Sequence, residues 1–380
     1  MLALAYNLLL LPVDLLVLRG IRRRPTLASV LRGALVVSTV MVGLALVGMF
    51  TESDTRYYGS YFTFLGLLSW GLFLHGVPLV FLSARHLRGL RRWGLFGIGL
   101  LGVVVAWEGF VRGPGALGVT RHRIASTRID APLRIVVLAD LQTDSPGDFE
   151  REALELAMAE RPDLVLLPGD YVQTSRDRYA ETLSALRGLF DDVGLDAPLA
   201  VYAVEGNVDR DEWPELFAGR SGTRFRHSAT VEVGEAGEIG GVRITGLSFS
   251  DSFNAHLVVP RSGLERGPAD RAEASQVVAS DAFHVVFGHG PDFALGAVEA
   301  DLLVAGHTHG GQVRVPGFGP PMTLSKVPRA WAAGLTQLPS GAALLVSRGI
   351  GMERGGAPRV RFLCPPEVVV IDVVPADRPD

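Results

Sequence analysis

The sequence predicts an α/β domain that follows a set of membrane-spanning helices. Three observations support this fold class: four apolar runs in the first third, short apolar strands alternating with helices after residue 132, and a change of charge between the two parts. Residues 1–112 carry 11 Arg and 4 acidic residues, a net charge of +7, whereas residues 113–380 carry 25 basic and 36 acidic residues, a net charge of −11. Nucleic-acid binding needs clustered cations, so we expect no nucleic-acid partner for the acidic part.

The apolar runs lie at 2–18, 30–50, 61–83 and 93–111. A helix needs about 20 apolar residues to cross a bilayer core. The first run is the weakest, because Pro12 and Asp14 interrupt it, and three spans are the alternative to four. We predict a transmembrane anchor of about four helices over residues 1–112.

Ionisable residues inside the spans are few, namely His75 and Glu108. Such residues can mark a transport path. Two isolated groups, one of them near the end of a span, are more typical of a packed polar contact and a terminal side chain. We therefore favour an anchor over a transporter with a regulatory domain.

The charged loops predict the orientation of the chain in the membrane. Loops 19–32 and 84–92 are rich in Arg, whereas 51–60 has one Arg against two acidic residues. The positive-inside rule places the two Arg-rich loops in the cytoplasm. The protein is then integral to a membrane, with the residues after about 112 outside the cytoplasm.

A linker rich in Gly, Pro and Arg over residues 113–131 precedes the second domain, which we place at 132–376. Its helices are predicted at 148–160 and 177–189. Continuous apolar strands indicate sheets covered on both faces. Strand–helix alternation followed by strand-rich sequence predicts two packed sheets flanked by helices. The predicted strands lie at 133–139, 164–168, 199–204, 242–248, 283–287, 301–305, 342–347 and 368–374.

Polar residues of metal-ligand types follow five of these strands. In open α/β sheets, the carboxyl ends of the strands converge on the site. A single Gly-Asp or lone His is usually ordinary turn or loop chemistry, but five such endings in one domain predict a metal site. Imidazole and carboxylate together suit zinc, manganese or iron, and a single cysteine, Cys364, excludes a cysteine-based zinc site. The residues are Asp140 with Gln142, Asp170, Asn207 with Asp209, His289, and His307 with His309.

The order of these motifs resembles the calcineurin-like metallophosphoesterases, over about residues 133–374. The ending Gly306-His-Thr-His-Gly-Gly-Gln312 is similar to that of a bacterial membrane-associated branch of the family. The resemblance implies a four-layer αββα sandwich, and it implies that the anchor lies in a bacterial inner or cell membrane. It also implies a metal-dependent phosphoester hydrolase in which a metal-bound hydroxide attacks phosphorus between two divalent metal ions.

The resemblance also implies a role for each matching residue. The first metal would be held by Asp140, the Gln142 position, Asp170 and His309. The second would be held by Asp170, Asn207, His289 and His307, so that Asp170 bridges the two ions. Asp170, Asn207 and Asp209 would take part in catalysis.

Two positions depart from the family pattern, which has His at both. Gln142 is a neutral, weaker donor than imidazole, so site one should favour a harder ion such as manganese over zinc or iron. Val208 replaces the His that is generally assigned to protonating the leaving group or to steadying the phosphate, and Asp209 would lose that His as a partner. His227, His256 and Gln173 are candidate replacements by residue type alone.

These departures leave two functions open. We favour an active hydrolase, and the alternative is a degenerate member that binds metal or a phosphorylated ligand with little turnover. Monoesters, diesters and pyrophosphates all suit such a site. The membrane anchor and the apolar stretch Pro316–Met322 favour a lipid-linked phosphoester, although that stretch can equally be a surface turn.

Overall fold

The structure is a computed structural model that describes residues 2–50, 59–233, 241–264 and 281–376. Most of the 51–60 loop, whose low Arg content supports the predicted membrane orientation, therefore lies outside the described residues. The chain forms two compact units. The first, here the helical unit, comprises Met1–Gly113 and Glu353–Phe362; the second, the α/β unit, comprises Pro114–Met352 and Leu363–Asp380.

The helical unit contains four helices that are long and apolar enough to cross a membrane. The helices are longer than the predicted apolar runs, because residues that flank each run are also helical. The helix α1 continues through Pro12 without a break. Large apolar side chains are exposed along them, as at Leu16 and Leu35, and contiguous exposed apolar surface is typical of a lipid-facing protein. The helices are α1 (Leu2–Arg23), α2 (Leu27–Met49), α3 (Gly59–Ala84) and α4 (Leu90–Gly115).

A buried polar cluster joins α1 to α3. His75 lies in a π-helical segment of α3, Gly71–Gly76, and its Nδ1 is 2.6 Å from Asp14 Oδ2. Its Nε2 is 3.0 Å from Asn7 Oδ1. His75 is therefore a packed polar contact, and Asp14, which weakened the first apolar run, supplies its partner. Glu108 accepts a hydrogen bond from Arg112 one turn later on α4.

Ten residues from the C-terminal half of the chain also belong to the helical unit. The sequence predicted one continuous domain over 132–376, whereas Glu353–Phe362 packs with the helices. Glycines make this packing close: a Cβ on Gly66 of α3 would lie 2.1 Å from the carbonyl oxygen of Gly356. Sequence periodicity does not report such a contact, because the segment forms no helix or strand of its own.

The α/β unit contains two six-stranded sheets of mixed direction and a two-stranded one, β8–β10. Their order is β1-β14-β2-β3-β4-β5 in the first sheet and β12-β13-β11-β9-β7-β6 in the second. The central strands β2, β3 and β4 run parallel, as do β7, β9, β11 and β13. The strands are β1 (Gly118–Ser126), β2 (Leu133–Val137), β3 (Leu164–Leu167), β4 (Ala200–Val204), β5 (Arg224–Phe225), β6 (Ala229–Val233), β7 (Val242–Gly246), β8 (Val258–Val259), β9 (Phe283–Phe287), β10 (Ala297–Val298), β11 (Leu302–Ala305), β12 (Gly334–Gln337), β13 (Ala343–Val346) and β14 (Glu367–Pro375).

The two large sheets pack face to face, which confirms the predicted α/β class and the pairing of sheets. Ile135 and Leu166 of the first sheet share one buried cluster with Val285 and Phe287 of the second. The helices α5 (Asp148–Ala159) and α6 (Arg176–Val193) cover the outer face of the first sheet. Over the second sheet, the described residues supply β8, β10 and short helical turns.

The interval predicted to be a linker contains a strand. β1 pairs in parallel with β14 along nine residues, from Gly118–Glu367 to Ser126–Pro375. Its exposed Arg121 and Arg123, with His122 between them, resemble linker composition because the strand lies at the edge of its sheet and keeps one face exposed. An edge strand with charged side chains is a common protection against aggregation.

Candidate metal centre

The polar residues predicted from the strand ends meet at one place in the α/β unit. His307 N–H donates to the carboxylate of Asp140 at 3.0 Å, which joins the end of β11 to the end of β2. His289, after β9, is linked in the same way to β3, because its Nδ1 is 2.8 Å from the carbonyl oxygen of Pro168. The centre thus lies where the carboxyl ends of the central strands of both sheets converge.

Strained backbone accompanies these side chains. Positive φ is uncommon outside glycine and concentrates at functional sites. Five of the predicted ligand residues adopt it, with φ between 37° and 68°: Asp140, Gln142, Asp170, His307 and His309. The surrounding loops must therefore hold these residues in an unfavourable conformation in order to direct their side chains.

Three side chains form a buried group with ligand atoms in reach of one ion. Atoms of Asp140, Asp170 and His309 all lie within 4.8 Å of one another. Asp140 and Asp170 are 0% and 1% exposed. Two ionised carboxylates buried this close repel each other strongly unless a cation lies between them. The donor set of two carboxylates and one imidazole suits a divalent metal ion.

A second group of ligand atoms lies beside the first. Asn207 Oδ1 is 2.8 Å from His289 Nε2 and 2.9 Å from His307 Nδ1, and the two ring nitrogens are 3.2 Å apart. Asp170 Oδ2 is 3.5 Å from His289 Nε2, so Asp170 takes part in both groups. Ligands about 2.1 Å from a common ion lie about 3 Å apart in octahedral geometry, which matches these separations.

Backbone carbonyls fix which ring nitrogens are available. A carbonyl can only accept, so His289 Nδ1 carries the proton that it donates to Pro168, and His307 Nε2 carries the one it donates to Leu324 at 3.2 Å. The other nitrogens, His289 Nε2 and His307 Nδ1, then present lone pairs toward Asn207 Oδ1. Such outer partners are the usual means of orienting metal-ligating histidines.

The electrostatic environment favours neutral imidazoles. Burial lowers the pKa of His289 well below its ordinary value, and the neighbouring His307 adds to that effect. Burial likewise lowers the pKa of His307. Because metal binding requires the neutral ring, both histidines are in the ligating state at neutral pH.

Asp209, which was predicted to take part in catalysis without the usual histidine as a partner, is bound to the backbone. Its carboxylate accepts three backbone N–H groups, from Asp170, Tyr171 and Gly206, each at 2.8 Å. Burial raises the pKa of Asp209 to about 6, and these hydrogen bonds oppose that rise. Asp209 thus holds the loops after β3 and β4 together, which places Asp170 beside Asn207.

The two departures from the family pattern lie at the centre itself. Gln142 is fully buried, and its amide nitrogen donates to Gln173 Oε1 at 3.0 Å. The amide oxygen is therefore the atom of this side chain that could ligate a cation. Val208 is half-buried, and its N–H donates to Asp170 Oδ1 at 2.9 Å. Of the three suggested replacement donors, Gln173 contacts this set, while His227 and His256 are exposed.

Several groups that orient or contact the histidines of the metal centre could not be predicted from the sequence. The carbonyls of Pro168 and Leu324 select the histidine tautomers, and Phe253 packs edge-on against His307 with ring centroids 4.7 Å apart. Every residue has a backbone carbonyl, so the residue type does not indicate which carbonyls bond to a histidine. An isolated Phe in the sequence resembles any core residue. Gly206 could have been found from the sequence, because it directly precedes the Asn207 ligand position.

Replacement of Gly206 by Ala should damage the metal centre. The new Cβ would lie 2.2 Å from Asp170 Oδ1 and 2.3 Å from Asp170 N, so Asp170 must move. We expect metal affinity to fall by about 10–100-fold, the effect of disturbing the support of a ligand. Calorimetric metal titration measures this. Gly188→Ala, on an exposed turn of α6 with open space around it, is the matched control and should leave metal affinity unchanged.

Comparison with known proteins agrees with this fold. The family model described as calcineurin-like phosphoesterase matches residues 133–311, from β2 to the end of the His307–His309 loop. A phosphodiesterase of Escherichia coli, YaeI, is 30% identical over 273 residues, which cover 69% of this chain and 90% of that protein. The chain therefore belongs to the calcineurin-like phosphoesterase family, whose members are metal-dependent.

Further relatives come from other bacteria. An uncharacterized metallophosphoesterase of Bacillus subtilis, YkuE, is 26% identical and covers 73% of this chain and 94% of its own length. An uncharacterized metallophosphoesterase of Aquifex aeolicus is 29% identical, covering 56% of this chain and 74% of that protein. These matches show the family.

Proposed function

We propose that the protein is a membrane-anchored hydrolase of phosphoesters that works with two divalent metal ions. The observation that carries the proposal is the buried group of Asp140, Asp170 and His309, whose ligand atoms lie within 4.8 Å of one another. The similarity to a phosphodiesterase supports diesters among the substrates. The four long apolar helices support the anchor.

In this proposal, Asp140, Gln142, Asp170 and His309 hold one ion, and Asp170, Asn207, His289 and His307 hold the other. Two bound cations would activate a water for in-line attack on phosphorus and neutralise charge developing on the phosphoryl oxygens. Manganese is favoured over zinc or iron because Gln142 offers a hard amide oxygen in place of imidazole.

The chain's own residues prepare that chemistry. Val208 N–H and the backbone contacts of Asp209 hold Asp170 in place for both groups. The carbonyls of Pro168 and Leu324 keep the ligating nitrogens of His289 and His307 free of protons. Preorganised ligands of this kind avoid reorganisation during the reaction.

A degenerate protein that binds metal or a phosphorylated ligand is the second candidate, and Val208 is the observation that favours it. General acid catalysis typically contributes about 10²–10⁴-fold. An active enzyme without that histidine should prefer esters whose leaving groups depart unprotonated.

The function is tested with the full chain, stripped of metal by a chelator and then titrated with Mn²⁺. We expect two ions per chain and hydrolysis of bis(p-nitrophenyl) phosphate that depends on the added metal. Zn²⁺ and Fe²⁺ titrations compare the metals under the same conditions. Two bound ions without hydrolysis of aryl monoesters or diesters would support the degenerate candidate. Failure to bind metal would contradict the hydrolase and would leave only a degenerate protein that binds a phosphorylated ligand.

The orientation of the anchor is tested with reporter fusions. A phosphatase reporter that is active only after export should be active when fused after Asp380, because the Arg-rich loops are proposed to lie in the cytoplasm. The same reporter fused after Arg88, in the second Arg-rich loop, is the control and should be inactive. Activity of a cytoplasm-only fluorescent reporter at Asp380 would contradict the four-span arrangement.

A further inference from the structure

A cavity of about 650 Å³ lies within the helical unit. This volume falls in the range of sites that bind small organic molecules. Its walls are mainly apolar and come from the start of α1, from α3 and from the end of α4, while Gly355–Arg359 forms the remaining side. The apolar walls include Leu2, Leu67, Phe73 and Phe110.

The remaining side of the cavity is firmly built. A Cβ on Gly356 would lie 2.2 Å from Thr63 Oγ1, and one on Gly113 would lie 1.7 Å from the carbonyl oxygen of Arg361. Arg361 N–H also donates to the carbonyl oxygen of Gly109 at 2.8 Å. The segment Glu353–Phe362 is thus seated against α3 and α4 through positions where only glycine fits, so it forms a fixed wall of the cavity.

The same segment presents one arginine to the cavity. Of its three arginines, Arg354 and Arg361 are buried, at 9% and 0% exposed. Arg359 is exposed and lines the cavity. Guanidinium groups recognise phosphate through paired hydrogen bonds and lose less hydration than ammonium groups when they do so.

The cavity lies toward one end of the helices. It includes the first residues of α1 and Phe110 near the end of α4, whereas the Arg-rich loops join the opposite ends of the helices. In a membrane, its apolar walls would lie at the depth of lipid acyl chains, and a long arginine side chain could extend to the headgroup region. A phosphate-bearing lipid matches both parts: its chain suits the walls, and its headgroup suits Arg359.

We propose that this cavity binds an acyl chain of a phosphate-bearing membrane lipid, with Arg359 contacting the phosphate. If the proposed function holds, on which this consequence rests, the lipid class bound here is the substrate class of the hydrolase.

The site is tested by photocrosslinking with the full chain in detergent micelles. The probe is phosphatidic acid with a diazirine in one acyl chain, and the comparison probe is diacylglycerol with the same chain but no phosphate. We expect phosphatidic acid to label peptides from Gly59–Trp70 and from the segment Gly355–Arg359, with much weaker labelling by diacylglycerol. Equal labelling of these peptides by the two probes would contradict the role of the phosphate.

Two variants test the apolar walls of the cavity and the charge of Arg359 separately. Ala357→Phe should fill the cavity and reduce labelling at least about tenfold, and Arg359→Ala should reduce phosphatidic acid labelling about tenfold, the effect of losing a hydrogen bond to a charged group. Matched controls are Ala34→Phe on the exposed face of α2 and Arg91→Ala in the second Arg-rich loop. Ala3→Phe, from another wall, provides a second filling variant if Ala357→Phe does not elute as a folded protein.

The outcomes distinguish this site from the proposed function. Wild-type labelling in both folded filling variants would overturn the lipid site. Asp170→Asn should be labelled like the wild type, because lipid binding does not need the metal centre. A wild-type protein that is labelled as expected but hydrolyses no phosphoester keeps the lipid site and contradicts only the proposed function.

Discussion

Asp170→Asn should abolish the binding of both metal ions and, with it, phosphoester hydrolysis. Asp170 lies in both ligand groups, within 4.8 Å of ligand atoms of Asp140 and His309 and with its Oδ2 3.5 Å from His289 Nε2. The amide has nearly the same shape as the carboxylate but carries no charge, so it offsets none of the repulsion between two cations. Replacing an outer partner of a ligand lowers metal affinity by about 10–100-fold. Because Asp170 is itself a ligand, we expect Asp170→Asn to lower metal affinity by more than this.

The measurement is metal content after dialysis, together with hydrolysis of bis(p-nitrophenyl) phosphate. The variant should fold, because the backbone N–H of Asp170 still donates to Asp209. Asp192→Asn, an exposed carboxylate that pairs with Arg151, is the matched control and should retain both metals and activity. If Asp170→Asn retained two ions, Asp170 would not be the bridging ligand.

Val208→His should increase the hydrolysis of esters with poor leaving groups by up to about 10²-fold, the low end for general acid catalysis. Alkyl phosphoesters need a proton on the departing oxygen, whereas p-nitrophenolate leaves without one, so the aryl ester should gain little. Val208 is half-buried at the end of β4, which leaves room for a larger side chain. The gain stays at the low end because Asp209, engaged by three backbone amides, cannot orient the new imidazole.

The ratio of kcat/KM for an alkyl and an aryl phosphodiester measures this effect. Val208→Phe is the matched control, since its ring has a similar bulk but cannot donate a proton. Equal gains on both esters with His would indicate that the ring binds the phosphate instead of protonating the leaving group. No gain on either ester, in a protein that keeps both metals and still hydrolyses the aryl ester, would show that another residue already serves as the acid.

The core strands and helices of the α/β unit could be predicted because their sequences have a strong local pattern. The run over 283–287 is β9, and the helix predicted at 148–160 is α5, Asp148–Ala159. Buried parallel strands are continuously apolar, which makes them easy to recognise. β1 was missed because an edge strand with alternating arginines resembles a linker, and β5, β8 and β10 were missed because two residues form no pattern.

The sequence also predicted which residues would gather at one place, because the carboxyl ends of parallel strands meet at the same edge. It could not determine how they meet. The position of Asn207 Oδ1 between His289 and His307 depends on the packing of one sheet on the other. The contacts of Asp209 with the backbone depend on two loops that are about 40 residues apart in the chain.

By itself, the sequence determined the two parts of the protein, the α/β class and the residue types of the centre, since each depends on composition, periodicity or order along the chain. The tertiary structure alone decided that Asp209 is a support for Asp170, that Asp14 and His75 are partners, and that Glu353–Phe362 belongs with the helices. Each of these depends on atoms that approach through space from distant positions in the chain. Such contacts are set by packing and hydrogen-bond geometry, for which a single sequence has no local pattern.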